Sequence, residues 1–397
     1  MEKAYSYRFY PTTQQENLLR RTLGCVRLIY NKALAERMQA WQERKERITY
    51  NQTSGWLTKW KQQEEFKFLN EVSCVPLQQS LRHLQTAFSN FFAGRAKYPT
   101  FKKKHRGGSA EFTKSAFRWK EGKLYLAKCH EPLDIRWSRQ LPTGAEPSTI
   151  TIRLNPAGQW YVSIRFDDPR NLNLKPTNQS VGIDLGLSSL VTLSTGEKVA
   201  PPKYLAQYAK KLRLAQKALS RKQKGSNNRY KARLKLARVH QKVSNCRRDR
   251  LHKLTTRLIR ENQTIVAETL AVKNMIRNSK LAKAISDASW GELLRQLEYK
   301  AQWYGRTLIQ VDRWFPSSKT CSNCGHTLAH LPLSVREWEC PLCHARHDRD
   351  INSACTLLAV GHTVSACGAF ALAARSANVR PKPSRVAAVA MKQEPKS

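Results

Sequence analysis

Two cysteine pairs with a fixed spacing constrain this chain more than any other feature. Cys321 and Cys324 form one C-x-x-C motif, and Cys340 and Cys343 form a second one after fifteen intervening residues. Each motif presents two sulfurs together, and two motifs supply the four thiolates of a tetrahedral zinc site. Two disulfides are the alternative, but a chain of intracellular character favours metal. The spacing predicts a structural zinc ribbon, because four cysteines leave no open coordination position for a substrate.

The charge of the chain indicates its partners. The 397 residues carry a formal net charge of +41, and the length allows two or three domains. Such an excess repels itself unless a polyanion neutralises it, which makes nucleic acid the leading partner. A membrane surface is the rival, but no apolar run reaches the ~18 residues of a membrane-spanning helix. The N-terminal sequence does not resemble a signal peptide, so we expect a cytoplasmic protein.

Three acidic residues stand where apolar strands or a helix start are predicted. Asp184 lies in VGIDLG, Glu268 lies in TIVAETL, and Asp350 begins a late helix. A carboxylate in an apolar strand needs a compensating partner, and a two-metal phosphodiester site needs several carboxylates around two divalent ions. Mg²⁺ suits an all-oxygen ligand set. Asp348 competes with Asp350 for the third position, and we prefer Asp350.

Two strongly basic segments are candidates for nucleic-acid contact. The loop 97–108 combines aromatic residues with Lys102, Lys103 and Lys104. The segment 203–260 contains 20 Lys or Arg residues and one acid, Asp249, and it is expected to form two helices separated near Gly225. A solvated helix face or linker is the alternative for both segments. The one-sided charge of the second favours a phosphate backbone, with Arg247, Arg248 and Arg250 as candidate contacts.

The N-terminal half combines a strand, helices and a later group of strands. Alternating aromatic residues predict a strand over residues 5–9, and Thr13 with Glu16 reads as a capping box that opens a helix. Further helices are expected around Trp56 and after Pro76, without the separate recognition helix that a helix-turn-helix requires. Alternation between residues 150 and 166 predicts a hairpin that the N-terminal strand rejoins.

Several segments together resemble the TnpB family of transposon-encoded, RNA-guided DNA nucleases, which are related to type V CRISPR effectors. The resemblance is carried by KAYSYRFYPTTQQENLLRRTLGCVRLIYNKAL, VGIDLGLSSLVTLSTGE, IVAETLAVKNM, YGRTLIQVDRWFPSSKTCSNCG and REWECPLCHARHDRDIN. It extends from residue 3 to about residue 368.

The resemblance implies an α/β multidomain protein. A wedge-like β-barrel (1–10 and 96–178) would be interrupted by a helical recognition module (11–95). A RuvC-like nuclease domain with RNase H topology (179–315 and 346–368) would contain the basic hairpin 203–260 and an inserted zinc ribbon (316–345), before a disordered tail (369–397).

The resemblance also implies a reaction and its partners. The family's catalytic acids correspond to Asp184, Glu268 and Asp350, which would hold two Mg²⁺ ions, and its zinc ligands correspond to the four cysteines. An RNA from the transposon end would guide cleavage of double-stranded target DNA beside a short flanking motif. Older descriptions of the family use the term transposase.

The last motif departs from the family pattern, and some roles stay open. The family usually reads D-x-N-A-A-x-N-I, whereas this chain has Ser353 and Thr356 at two of those positions. His347 is a candidate for assisting metal-bound water or phosphate, with a structural role beside the ribbon as the alternative. Two rival functions are a catalytically silent RNA- and DNA-binding regulator and a guide-independent transposase or recombinase.

Overall fold

The computed structural model describes residues 1–367, which form two compact units. The first comprises Met1–Asn171 with Ala209–Lys242, and the second comprises Leu172–Tyr208 with the chain from Val243 onward. The tail predicted over 369–397 lies outside the described residues. Between residues 1 and 367, no helix is both long and apolar enough to cross a bilayer.

The first unit begins with one strand and three helices, and strands follow. These elements are β1 (Glu2–Tyr10), α1 (Thr13–Arg44), α2 (Tyr50–Gln62), α3 (Cys74–Phe92), β2 (Gly108–Thr113), β3 (Phe117–Lys120), β4 (Lys123–Leu126), β5 (Asp134–Arg136), β6 (Pro147–Leu154) and β7 (Trp160–Asp167).

The strands of the first unit form a five-stranded antiparallel sheet in the order β2-β6-β7-β1-β5, and β3 and β4 pair separately. Tyr7 and Phe9 alternate with polar residues along β1 and are buried. The prediction that the N-terminal strand rejoins the β6–β7 hairpin is confirmed, because β1 pairs with β7. Closure of this sheet into a barrel stays a prediction.

The N-terminal helix is single and continuous over 32 residues. Its capping box uses Thr12 and Gln15, so the prediction of Thr13 and Glu16 was wrong by one position. Thr12 is the last residue with extended backbone, and its hydroxyl accepts from the Gln15 amide at 3.3 Å. No turn divides α1 into the two helices of a helix-turn-helix.

Two basic helices follow the first strands of the second unit. Their bounds are α5 (Ala209–Ser220) and α6 (Asn227–Glu261), as the break near Gly225 predicted. Residues 209–242 pack within the first unit, where Gln241 accepts a hydrogen bond from Asn155 at 3.2 Å. The hairpin predicted for the nuclease domain is therefore shared between the two units.

The second unit surrounds a mixed five-stranded sheet. Its elements are β8 (Ser180–Asp184), β9 (Val191–Leu193), β10 (Lys198–Val199), α4 (Tyr204–Gln207), β11 (Thr264–Glu268), α7 (Val272–Met275), α8 (Ala282–Ala288), α9 (Trp290–Tyr304), β12 (Thr307–Val311), β13 (Glu337–Glu339), β14 (Arg346–Asp348) and α10 (Arg349–Cys367). The sheet order is β10-β9-β8-β11-β12. Strands β8, β11 and β12 are parallel, and β9 and β10 continue the sheet as antiparallel strands.

Helix α10 packs against this sheet at a distance that only glycine permits. A Cβ atom on Gly182 of β8 would lie 1.9 Å from the Ala354 carbonyl oxygen of α10. A Cβ atom on Gly361 of α10 would lie 2.2 Å from Val266 of β11. The two glycines let the helix backbone approach the strands closely, which fixes the start of α10 beside the end of β8.

Candidate active site and zinc ribbon

The first two predicted acids end neighbouring parallel strands. Asp184 is the last residue of β8, and Glu268 is the last residue of β11. The register pairs Thr264 with Ser180 and continues along both strands, so both acids lie at the same edge of the sheet. The carboxyl ends of parallel strands are the usual place for a site in such a sheet.

The carboxylate of Asp184 is held by a serine hydroxyl. Ser353 Oγ lies 2.8 Å from Asp184 Oδ1 and 2.9 Å from Ser317 Oγ. A hydroxyl has one proton and an ionised carboxylate only accepts, so Ser353 donates to Asp184 and accepts from Ser317. Burial raises the pKa of Asp184 to about 6, although the Ser353 hydrogen bond opposes this rise. The nearby negative charge of Asp350 raises this pKa further.

The side chain of Glu268 on β11 reaches the residue that follows Asp184 at the end of β8. Its Oε1 atom accepts a hydrogen bond from the backbone amide of Leu185 at 3.1 Å. Burial raises the pKa of Glu268 to about 7, and the charge of Asp184 adds to this rise. Two carboxylates whose pKa values are raised by burial and by a neighbouring negative charge are poised to bind a cation.

The structure separates the roles of Asp348 and Asp350. Asp348 Oδ1 accepts from the backbone amides of Asp350 (3.1 Å) and Ile351 (3.0 Å), which caps α10, and its Oδ2 accepts from Lys198 at 2.6 Å. Both oxygens of Asp348 are thus engaged. Asp350 interacts electrostatically with Asp184 and lies 3.6 Å from Arg336 Nη1. Of the two acids, Asp350 is the one whose charge acts on Asp184.

The three carboxylates fit hard divalent ions by their chemistry, since Mg²⁺ takes oxygen ligands. The three carboxylates interact electrostatically. The charge of Asp350 raises the pKa of Asp184, and the charge of Asp184 raises the pKa of Glu268. Among the described residues, one group of three or more candidate ligands has its atoms close enough together to share one ion, and it consists of the four ribbon cysteines. The three acids do not form such a group in this structure.

The four cysteines fit zinc closely. Their sulfur atoms all lie within 4.8 Å of one another. Sγ of Cys321 is 3.7 Å from Sγ of Cys343, and Sγ of Cys324 is 3.6 Å from Sγ of Cys340. Tetrahedral Zn²⁺ with Zn–S bonds of about 2.3 Å requires sulfurs about 3.8 Å apart. All four are free thiols, so the disulfide alternative does not describe this structure.

The two halves of the ribbon repeat one backbone turn. The Gly325 amide donates to the Cys321 carbonyl and the His344 amide donates to the Cys340 carbonyl, both at 2.9 Å. Gly325 and His344 both have left-handed backbone, with φ of 77° and 58°. The residue after each C-x-x-C motif therefore closes the turn with left-handed backbone, although His344 lacks the conformational freedom of glycine.

His347 faces the ribbon. Its Nε2 atom lies 3.0 Å from Cys321 Sγ, and its ring packs on buried Trp338 with centroids 4.8 Å apart. These contacts support the structural alternative for this histidine rather than a part in the reaction.

Three residues join α10 to the ribbon, and sequence reasoning had singled out only Thr356 among them, as a departure from the family pattern. Asn352 donates to the Thr320 carbonyl at 2.8 Å and accepts from the Ser322 amide at 2.9 Å. Thr356 contacts the same Thr320 carbonyl at 3.2 Å. Arg349 is buried and donates to the Pro332 carbonyl at 2.7 Å. Their position in the first turns of α10, beside Asp350, was the available signal.

The predicted nucleic-acid contacts differ in their surroundings. Arg248, Lys103 and Lys104 are exposed. Arg247 forms an ion pair with Asp287 at 2.8 Å, and Arg250 donates to the Ala200 carbonyl at 2.7 Å. Lys102 Nζ lies 4.0 Å from the centre of the Tyr30 ring, and its backbone is hydrogen-bonded to Asn31. These last three residues make contacts within the fold.

Helix α6 carries an exposed basic stripe. It lies within the predicted segment 203–260, but the sequence analysis did not name its residues as candidate contacts. It consists of Lys231, Lys235, Arg238 and Lys242, which are spaced by four, three and four residues and share one helix face. The stripe belongs to the part of α6 that packs in the first unit.

Three family models match the chain. They are described as "Probable transposase" (residues 162–279), "Cas12f1-like, TNB domain" (290–357) and "Helix-turn-helix domain" (1–46). The third covers the region where the structure has one strand and one continuous helix. The second covers the cysteine ribbon and the start of α10.

Full-length relatives and one solved structure extend the comparison. A protein of Streptomyces pristinaespiralis named "Putative RNA-guided DNA endonuclease" is 54% identical over 100% of this chain and 96% of its own length. A protein of Escherichia coli K12 with the same description is 33% identical over 96% of this chain and 97% of its own length. A Cas12f1–sgRNA–target DNA complex matches with a TM-score of 0.55 and 13% identity, over 90% of this chain and 98% of that chain, which shows the fold alone.

The relatives extend over nearly the whole chain, and the matched models include both the acid-bearing strands and the cysteine ribbon. These matches agree with the motifs that carry the resemblance in the sequence. The chain belongs to the TnpB family.

Proposed function

We propose that this chain is an RNA-guided, Mg²⁺-dependent DNA endonuclease that hydrolyses phosphodiester bonds at the site formed by Asp184, Glu268 and Asp350. The observation that carries the proposal is the placement of two partly buried carboxylates with raised pKa values at the ends of adjacent parallel strands. A partly buried acid pair of this kind is unfavourable in a purely structural role and favourable in a cation site.

Each residue has a defined part in the proposed site. Asp184, Glu268 and Asp350 would hold the metal ions, and Ser353 orients one oxygen of Asp184 by its hydrogen bond. Bound Mg²⁺ would supply the activation of a water molecule and the stabilisation of the leaving oxygen. Asp348 caps α10, and Asp350 lies in the first turn of that helix. The four cysteines would hold a structural Zn²⁺ ion.

The fold supports a nuclease domain of RuvC type. Sheet order β10-β9-β8-β11-β12, with the acids on the central strand and its neighbour, is the arrangement expected of an RNase H topology. We assign the second unit to this domain and the ribbon between β12 and β14 to an insertion in it. The sheet of the first unit would be the wedge barrel, with α1 to α3 as the recognition module.

The partners follow from charge and from the relatives. The names of the relatives specify RNA guidance and DNA cleavage, and the net charge of +41 can hold two polyanions. We propose a guide RNA from the transposon end and double-stranded target DNA with a short flanking motif. The exposed stripe on α6, Arg248, Lys103 and Lys104 are the proposed phosphate contacts, and the cytoplasm is the proposed location.

The test begins with protein expressed from its native locus and the sequencing of RNA that co-purifies with it. Plasmids that match this RNA are then incubated with the complex in Mg²⁺ or in EDTA. We expect cleavage only in Mg²⁺, with loss of cleavage but not of DNA binding in Asp184→Asn, Glu268→Gln and Asp350→Asn. Asp348→Ala is the matched control and should retain much of the activity.

Each other outcome identifies the part of the proposal that fails. Absence of a discrete co-purifying RNA would contradict guidance, and cleavage by Asp184→Asn at the wild-type rate would contradict the acid assignment. Joined rather than hydrolysed products would indicate a recombinase. If Asp348→Ala were inactive and Asp350→Asn active, the third ligand would be misassigned.

A further inference from the structure

Trp314 is an aromatic side chain that the fold leaves in solvent. It is 78% exposed, more than any other tryptophan among the described residues. The Arg313 guanidinium lies 4.7 Å from the centre of its ring and is itself on an exposed residue. The exposed ring and the guanidinium beside it are available to a ligand that offers both a flat aromatic face and a negative charge.

The neighbours of Trp314 hold it in place. Phe315 packs in the small core that contains Val266, Val311 and Leu357. The Trp314 amide donates to Asp312 Oδ1 at 2.8 Å, and the Phe315 amide donates to the Asp312 carbonyl at 3.1 Å. The backbone on both sides of Trp314 is therefore anchored while its ring remains exposed.

The chain places Trp314 between two residues that adjoin the acids. Three residues before it, Val311 pairs in register with Glu268. Three residues after it, buried Ser317 contacts Ser353, which donates to Asp184. A residue advances the chain by at most about 3.6 Å, so the Cα atom of Trp314 lies within about 11 Å of the Cα atoms of both Val311 and Ser317. Trp314 thus stands at the sheet edge that bears the acids.

We propose that Trp314 and Arg313 form a stacking platform for an unpaired base of a DNA strand entering the site. The ring offers a π-face to a base of any sequence, and the guanidinium pairs with the adjacent phosphate. The proposed guide pairing leaves one DNA strand unpaired, and stacking on the ring compensates a base of that strand for its lost base stack. The inference rests on the proposed function for the identity of the strand.

The test uses the full-length protein in buffer without added Mg²⁺ and without a chelator, so that cleavage plays no part and the ribbon keeps its metal. The probe is a 15-nucleotide single-stranded DNA that carries one 5-iododeoxyuridine, moved along the strand in separate probes. Ultraviolet crosslinking followed by peptide mass spectrometry locates the contacted residue. We expect a crosslink at Trp314 that is lost in Trp314→Ala and retained in Trp314→Phe. Trp41→Ala, which removes another exposed tryptophan, is the matched control and should leave the crosslink unchanged.

A binding cycle makes the test quantitative. Trp314→Ala should weaken binding of the single strand about tenfold, and an abasic site at the crosslinked position should do the same to wild-type protein. The two changes together should weaken binding of the single strand little more than either change alone. Additive losses, an equal crosslink with duplex DNA of the same sequence, or no crosslink at Trp314 would overturn the platform. Because no step requires cleavage, an inactive enzyme that still crosslinks would refute the proposed function and leave the platform standing.

Discussion

Asp184→Asn should stabilise the metal-free second unit at pH 8 while it removes the stabilisation that Mg²⁺ confers. The pKa of Asp184 is raised from 3.8 to about 6, and that of Glu268 from 4.5 to about 7. A raised folded-state pKa means that the folded state binds protons more tightly than the unfolded state. The stability that this tighter proton binding contributes is fully present below about pH 4 and is lost as the pH rises to about 7.

The magnitude follows from the difference in pKa. A tenfold change in a protonation equilibrium is about 1.4 kcal/mol, so ionising Asp184 in the fold costs up to about 3 kcal/mol at pH 8. Asparagine keeps an oxygen that can accept from Ser353, and it removes the charge that acts on Glu268. We expect a gain of about 2 kcal/mol, which is a rise of about 4–8 °C in the Tm of a unit of this size.

The assay is thermal unfolding at pH 5 and pH 8, each in EDTA and in Mg²⁺. The advantage of Asp184→Asn should be largest at pH 8 in EDTA and smaller at pH 5, and Mg²⁺ should raise the Tm of the wild type only. Asp348→Ala is a control for which we expect the opposite change in Tm. Burial opposes the ionisation of Asp348, but Lys198 and the Ile351 amide outweigh it and lower its pKa. That stability is present above pH 4 and lost in acid, so Asp348→Ala should lower the Tm at pH 8. An unchanged or lower Tm of Asp184→Asn in EDTA at pH 8 would refute the reasoning.

Three further predictions concern the support of the site, the ribbon and the basic helix. Ser353→Ala removes a hydrogen bond that opposes the pKa rise of Asp184, so a pH–rate profile should shift to higher pH and a Mg²⁺ titration should show weaker binding; an unchanged profile would contradict this. Cys340→Ser should abolish the single zinc ion per chain expected from metal analysis by mass spectrometry and lower soluble yield, and well-folded wild type without zinc would refute the ribbon. Arg248→Glu should flatten the slope of log affinity for RNA against log salt by roughly one, whereas Arg247→Glu should chiefly lower the Tm because Arg247 pairs with Asp287; equal slopes for both would remove the distinction.

Local sequence predicted the parts of the site that depend on local context. An acid within an apolar strand is rare, so Asp184 and Glu268 could be recognised without knowledge of their neighbours. The cysteine spacing likewise predicts the ribbon, because each C-x-x-C motif by itself presents two sulfurs together. Element boundaries were less certain, since Thr12 and Thr13 both can cap a helix and only the backbone conformation decides between them.

Contacts between distant segments could not be predicted in the same way. A count of charges in 203–260 does not reveal that Arg247 is paired with Asp287, forty residues later. The serine at position 353 appeared only as a departure from the family pattern, and its meaning depends on a 2.8 Å contact with a residue 169 positions away. Ser353 lies three residues after Asp350 and hence on the same helix face, which was the one local hint.

The contacts of α10 connect the zinc ribbon to the acid site. Asn352 and Thr356 bind the Thr320 carbonyl next to the first zinc ligand, and the Arg349 amide donates to the Arg336 carbonyl at 2.8 Å. The residues that make these contacts lie before and after Asp350 in the sequence. The helix turn that carries Asp350 is therefore hydrogen-bonded to the ribbon on both sides. A zinc ion bound by the four cysteines would add folding free energy to the ribbon, and the same contacts would restrain the position of Asp350. We therefore expect zinc in the ribbon to influence the geometry of the carboxylates through hydrogen bonds, with no chemical part in the reaction.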